Sequence, residues 1–179
     1  MARRSTSTPA PSTSIARTAS GRNRPRTLAL LLLLTAGALA VPVPVLAVSD
    51  GQGRIDVRVD DGASYTYSYV NSVYEAPVEE RHLRHGDVLS ITSVASSDRR
   101  AVEYFRWDGE PTSKAGHYEQ DAPPNQTRRL TIRISPRYGQ RLEGNGWNID
   151  LAAEFGDGVV SVEPEDEPLG LALTRGWRP

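Results

Sequence analysis

The chain has 179 residues, a formal net charge of −1 and no cysteine. That length supports one domain core. The absence of cysteine excludes disulfide staples, thiolate metal sites and a thiol nucleophile. The near-zero charge hides an asymmetry: all 22 carboxylates lie at or after Asp50, and six arginines (Arg3, Arg4, Arg17, Arg22, Arg24, Arg26) precede it.

The arginine-rich front runs into an apolar stretch, Leu28 to Val41, and then into Pro-Val-Pro-Val-Leu-Ala. A positive flank, an apolar centre and small residues at the exit are the pattern of an export signal. The 14 apolar residues fit a signal core of about 7–15 and fall short of the roughly 20 that a spanning helix needs. The uncharged stretch Thr27–Ser49 is 23 residues long, so residues 28–48 also have the length of a single uncleaved N-terminal anchor. Pro42 and Pro44 break helices and favour the cleaved form. Two tripeptides suit a signal peptidase, Ala38-Leu39-Ala40 and Val45-Leu46-Ala47. The second leaves a polar start, Val48-Ser49-Asp50, and is preferred on that ground. The expected organisation is a signal peptide over 1–47, a β domain over 48–163 and a tail over 164–179, acidic and then apolar. The expected location is secreted or at the cell envelope. Beyond residue 47 there are 15 basic and 22 acidic residues, a charge of −7, which argues against a nucleic-acid partner.

From Arg54 onward the apolar residues recur mostly at period two, which predicts strands. Ile55, Val57 and Val59 alternate with charged residues, and Asp60-Asp61-Gly62 supplies a turn. Ser64–Val70 follows, with Tyr65, Tyr67 and Tyr69 on one face. Ala76–Arg84 allows one helical turn with Pro77 at its start. Val88–Ala95 reads as a strand. Ala101–Trp107 reads as another, with large groups on both faces. Residues 108–127 read as a long loop. Leu130, Ile132 and Ile134 alternate cleanly, as do Trp147, Ile149, Leu151, Ala153 and Phe155. Gly156-Asp157-Gly158 then predicts a hairpin into Val159–Val162.

About seven strands with frequent turns predict an all-β fold, an antiparallel two-sheet sandwich. The order resembles immunoglobulin-like modules. Gly86–Ile91 stands for an early strand, Trp107 for the core tryptophan of the next one, and Arg129–Ile134 with the hairpin around Gly156 for the closing strands. The resemblance implies architecture alone, since the paired cysteines of true members are missing. A lipocalin-like or jelly-roll barrel is the alternative.

Two constellations could carry function. His82 and His85 stand three apart in the densest polar cluster. On a helical turn they would share a face and, with His117 and Asp87, form a metal set; on a strand they would point apart. Tyr65, Tyr67, Tyr69 and Tyr74 offer rings that stack on sugars or anchor a protein partner. As core, the same rings would face away from Thr66 and Ser68. Asp60, Asp61 and Asp157 lie in glycine turns without the acid spacing of a calcium loop. Asn125-Gln126-Thr127 is a formal glycosylation sequon on a loop. No Gly-x-Ser-x-Gly elbow, His-Glu-x-x-His pair or phosphate-cradling glycine loop occurs. The expectation is an exported, non-catalytic sandwich, without a cofactor, that binds a protein or polysaccharide partner at the cell envelope. One alternative is a small secreted enzyme or metal-binding protein built on His82, His85 and His117. Another is a structural envelope protein held by the N-terminal anchor.

Overall fold

Alternating side chains give every strand one face for a core, and two antiparallel sheets bury those faces against each other. The computed structural model describes residue 37 and residues 39–174; the arginine-rich front and the apolar run to Ala36 lie outside them. The strands are β1 (Pro42–Ser49), β2 (Arg54–Arg58), β3 (Ser64–Asn71), β4 (Ala76–His85), β5 (Val88–Ser96), β6 (Thr112–Lys114), β7 (His117–Asp121), β8 (Leu130–Ile134), β9 (Arg141–Gly144), β10 (Trp147–Asp150) and β11 (Gly158–Pro168). Among the described residues they are accompanied by the short helices α1 (Arg99–Glu103), α2 (Leu151–Phe155) and α3 (Leu169–Thr174) and a 3-10 turn at Pro136–Tyr138. The smaller sheet has the order β2-β1-β11-β8 and the larger β10-β9-β3-β4-β5-β7-β6.

The main core lies between the sheets. Leu46, Val48, Ile55, Val57, Ile132, Val160 and Val162 come from the smaller sheet; Tyr65, Tyr67, Leu89, Leu142, Trp147 and Ile149 come from the larger. A second cluster gathers Ala76, Val78 and Val94 with Ala101 and Val102 of α1. The larger sheet is wider than its partner, and α1, set against β4, β5 and β7, closes the part of its inner face that the smaller sheet leaves over. On the outer face of the larger sheet the β4 residues Pro77, Glu79, Arg81 and His85 are exposed.

Residues 42–48, expected to close a leader or an anchor, are instead most of β1. This strand pairs with β11 along its whole length and with β2 from Val45 to Ser49. Val45, Leu46 and Val48 are fully buried. Burying Leu46 and Val48 in the core contributes roughly 3–6 kcal/mol, a large part of a domain's net stability. Pro42 and Pro44 are tolerated because β2 does not reach them, so no ladder bond is lost on that side. A domain beginning at residue 48 would lack this strand.

Further expectations change. Ala76–Arg84 is strand, and its alternation was masked because Glu80, His82 and Arg84 point inward beside Ala76 and Val78. Ala101–Trp107 opens within α1, where Asp98 caps the first turn by accepting Arg100 N–H at 2.9 Å. Trp147–Phe155 is strand only to Asp150, which then caps α2 by accepting Ala153 N–H at 3.0 Å. The predicted hairpin at Gly156 is therefore absent, and β10 and β11 belong to different sheets. The expected tail from residue 164 continues β11 to Pro168 before α3. The core tryptophan is Trp147; Trp107 packs on the α1 cluster.

Arg84 ties the sheets together. It is 2% exposed, and each of its five N–H donors finds an oxygen. Nε donates to Gly86 O at 3.0 Å. One terminal nitrogen donates to Val45 O at 3.3 Å and Val59 O at 2.8 Å. The other donates to Glu165 O at 3.2 Å and Asp166 Oδ1 at 2.8 Å. Replacing Arg84 with Met strands these oxygens, and urea unfolding is expected to show a loss of roughly 3–5 kcal/mol. Arg84→Lys recovers little of it, because an ammonium lacks the planar fork.

Gly144 faces the Trp147 indole, and a Cβ there would stand 2.3 Å from the ring. Gly144→Ala is expected to cost about 1–3 kcal/mol through overpacking, read as a lower melting temperature with the strand signal in circular dichroism retained.

Candidate functional site

The outer face of the larger sheet carries a trough of about 420 Å³. Its floor follows from the strand register. Thr66, Arg81 and Ser93 lie in one cross-strand row, and Ser68, Glu79, Ala95 and Glu119 lie in the next. The small side chains in these rows leave space, and the long ones, with His117 from β7, wall it. A β-bulge places Thr92 as an extra residue on β5 beside Arg81; its hydroxyl donates to Arg81 O at 3.1 Å.

The electrostatics of the trough are mixed. Lys114 Nζ lies 2.7 Å from Glu119 Oε2. This hydrogen bond, helped by the charge of Lys114, holds the Glu119 carboxyl below the usual carboxylate range. Glu79, Arg81 and His117 form no ion pair among the described residues. Two carboxylates, a guanidinium, an imidazole and hydroxyls thus share one open surface.

The trough continues over Pro77 and Ser97 into a wider opening of about 610 Å³ bounded by Tyr74, Asp98, Arg100 and Tyr118. Here Arg100 lies 5.3 Å from the Tyr74 ring centroid. Tyr104 meets that ring edge-on at 6.2 Å and is 53% exposed. Beneath the rim, buried Gln120 Nε2 donates to Trp107 O, Asp108 O and Gly109 O, fixing the chain that leaves α1.

The structure separates the residues singled out from sequence. Tyr65 and Tyr67 are core, 2% and 8% exposed. Tyr65 stacks on His82 at 5.1 Å, and Tyr67 on Tyr69 at 4.9 Å. Tyr69 Oη donates to Glu80 at 3.0 Å. Tyr65 and Tyr67 thus lie in the core and Tyr69 is half-buried; of the four tyrosines only Tyr74 borders the groove. The metal set disperses for the reason strand geometry dictates. His82 points inward, with Nε2 3.2 Å from Glu80 Oε2. His85 is exposed on the other face, with Nδ1 3.5 Å from Asp61. His117 lines the trough. Asp87 sits in the β4–β5 turn, 3.1 Å from Arg128. Among the described residues no three His, Asp or Glu side chains gather as metal ligands.

Asp61 has a structural partner: it accepts Gly86 N–H at 2.7 Å, a bond that lowers its pKa and joins two turns. The sequon asparagine is likewise engaged, since Asn125 Nδ2 donates to Ile91 O and Pro123 O while its oxygen accepts Ile91 N–H. Arg81, Ser93 and Glu119 were not singled out from sequence, and Glu79 only as a candidate further metal ligand beside His82 and His85. The signal available was Glu79 and Arg81 on one face of β4, opposite the small Ser93 and Ala95.

Comparison with known proteins adds no relative: no family model, no curated protein and no solved structure matches the chain.

Burial raises the tyrosine pKa values: that of Tyr67 is pushed up to about 12, partly offset by the hydrogen bond with Gln140, and those of Tyr65 and Tyr69 rise further. The folded state keeps these protons where the unfolded state releases them. Stability from this source is complete below the ordinary phenol value of 10.0 and is lost as pH climbs toward about 12. Denaturant melts between those two pH values should show falling stability, with phenolate absorbance of the buried rings appearing only as the chain unfolds.

Proposed function

We propose that this protein is exported by its N-terminal segment and that its sandwich binds a polysaccharide of the cell envelope along the groove from Arg81 to Tyr74. The observation carrying the proposal is that groove: a polar trough on the outer face of the larger sheet, continuous with an opening edged by tyrosine rings beside the start of α1. A sugar chain offers hydroxyls that both donate and accept. Glu79 and Glu119 supply acceptors, Arg81 supplies donors, and Ser93 and Thr66 supply both. Tyr74 and Tyr118 add ring faces and edges suited to the apolar side of a sugar ring. The balance of charge in the trough suits a neutral, polyhydroxylated ligand better than a strongly ionic one. The length of the groove suits a chain of sugar units better than a single small molecule.

Export is supported by the acid-free, arginine-flanked apolar front. No described helix is long and apolar enough to cross a membrane. Immunoglobulin-like modules also carry recognition on a rigid sandwich, and the proposal treats this domain as one of that general kind. The histidine-based enzyme draws no support from the dispersed imidazoles.

The test is affinity electrophoresis of the exported protein in gels containing polysaccharide from its own host's envelope. Retardation is expected. Arg81→Ala should weaken it about tenfold, equivalent to roughly 1.4 kcal/mol, with the melting temperature unchanged because Arg81 is exposed. Tyr74→Ala should weaken it similarly and also lower the melting temperature, because that ring packs on the α1 cluster. Equal migration with and without polysaccharide, or retardation indifferent to both substitutions, overturns the proposal.

A further inference from the structure

The position of β1 bears on a covalent event that the sequence leaves ambiguous. Ala38-Leu39-Ala40 and Val45-Leu46-Ala47 both present small residues where a signal peptidase reads them. A cut after Ala47 would remove Pro42–Ala47, six of the eight residues of β1. With them would go the β1 side of the β11 pairing from Pro42 to Ala47 and of the β2 pairing from Val45 to Ala47. Leu46 would leave the core, and Arg84 would lose the Val45 carbonyl. A cut after Ala40 removes none of this.

We infer that the leader is hydrolysed at the Ala40–Val41 peptide bond and that the working protein begins Val41-Pro42-Val43. The inference rests on the export reading given above. The boundary coincides with the first residue that the sandwich holds by a long-range backbone bond: Val41 O accepts Leu169 N–H at 2.9 Å, at the start of α3. Just before it, among the described residues Ala40 N–H bonds to Gly37 O within its own turn, and Leu39, 48% exposed, touches the body beside Gly170. Cutting there leaves an apolar run of 13 residues, Leu28–Ala40, within the about 7–15 of a signal core. It assigns Pro42 and Pro44 to the mature strand. Processing accompanies export and precedes folding, so the structure bears on the product: a chain starting at Val48 cannot build the smaller sheet around its second strand. The reaction is simple hydrolysis, in which water adds across the amide to give the Ala40 carboxylate and the Val41 ammonium.

The full chain, made in a bacterial host that processes exported proteins, would be fractionated and the extracytoplasmic product examined by intact mass and N-terminal sequencing. The expected start is Val41. In Ala40→Gln, which leaves every β1 residue intact, processing should stop and the full-length chain should accumulate at the membrane. A folded extracytoplasmic product beginning at Val48, an exported product with its leader still attached, or normal processing of Ala40→Gln overturns the inference. A chain found only in the cytosol overturns the export reading instead, and fractionation shows this before any N-terminus is read.

Discussion

The sandwich depends on a buried cation. A guanidinium between two sheets is costly to desolvate, and it is tolerated only when every donor is matched. Arg84 meets that condition by collecting carbonyls from β1, from the turn after β2, from β11 and from its own turn, with the Asp166 carboxylate completing the set. One side chain of the larger sheet therefore fixes the register and the approach of three segments of the smaller one. The carbonyls it uses lie near the prolines of β1 and β11, where regular ladder partners run out. Arg84 supplies donors where the sheet does not.

Two further inward positions of β4, Glu80 and His82, are polar as well. Glu80 accepts from Tyr69 and lies beside His82, whose ring stacks on Tyr65. The hydroxyl of Tyr65 is buried without a hydrogen-bond partner, an exception to the usual pairing of interior polar atoms. These groups lie along the seam where the main core meets the α1 cluster, and Tyr69 packs against both. The seam exists because seven strands face four. α1 packs against β4, β5 and β7, and Gln120 holds the chain that follows it.

That outer face shows how one strand serves two purposes. In β4 the inward residues bind the sheets together, and the outward Glu79 and Arg81 wall the trough. The bulge at Thr92 lets β5 keep a small floor residue beside Arg81 while restoring the inward register at Ile91. Architecture and candidate recognition are thus coupled through a single ten-residue segment.

The amino-acid pattern alone determined that this is a β protein. Arg54–Arg58, Ser64–Asn71, Val88–Ser96 and Leu130–Ile134 alternate as strands must, and strand periodicity alone sends His82 and His85 to opposite faces. The small polar Thr66 and Ser68 opposite the tyrosine stripe already pointed Tyr65 and Tyr67 inward. Tertiary structure decided what local pattern could not. Pro42–Ser49 has the composition of a leader's end and becomes a strand because β2 and β11 lie on either side of it. Ala76–His85 hides its alternation because its inward positions hold Glu80, His82 and Arg84, polar groups stable inside only once distant residues satisfy them. Leu151–Phe155 leaves the β pattern because Asp150 caps a helix there. The groove arises from side chains on β3, β4, β5 and β7, up to 53 residues apart in the chain from Thr66 to Glu119, and cross-strand register is a property of the folded sheets that one-dimensional spacing does not encode.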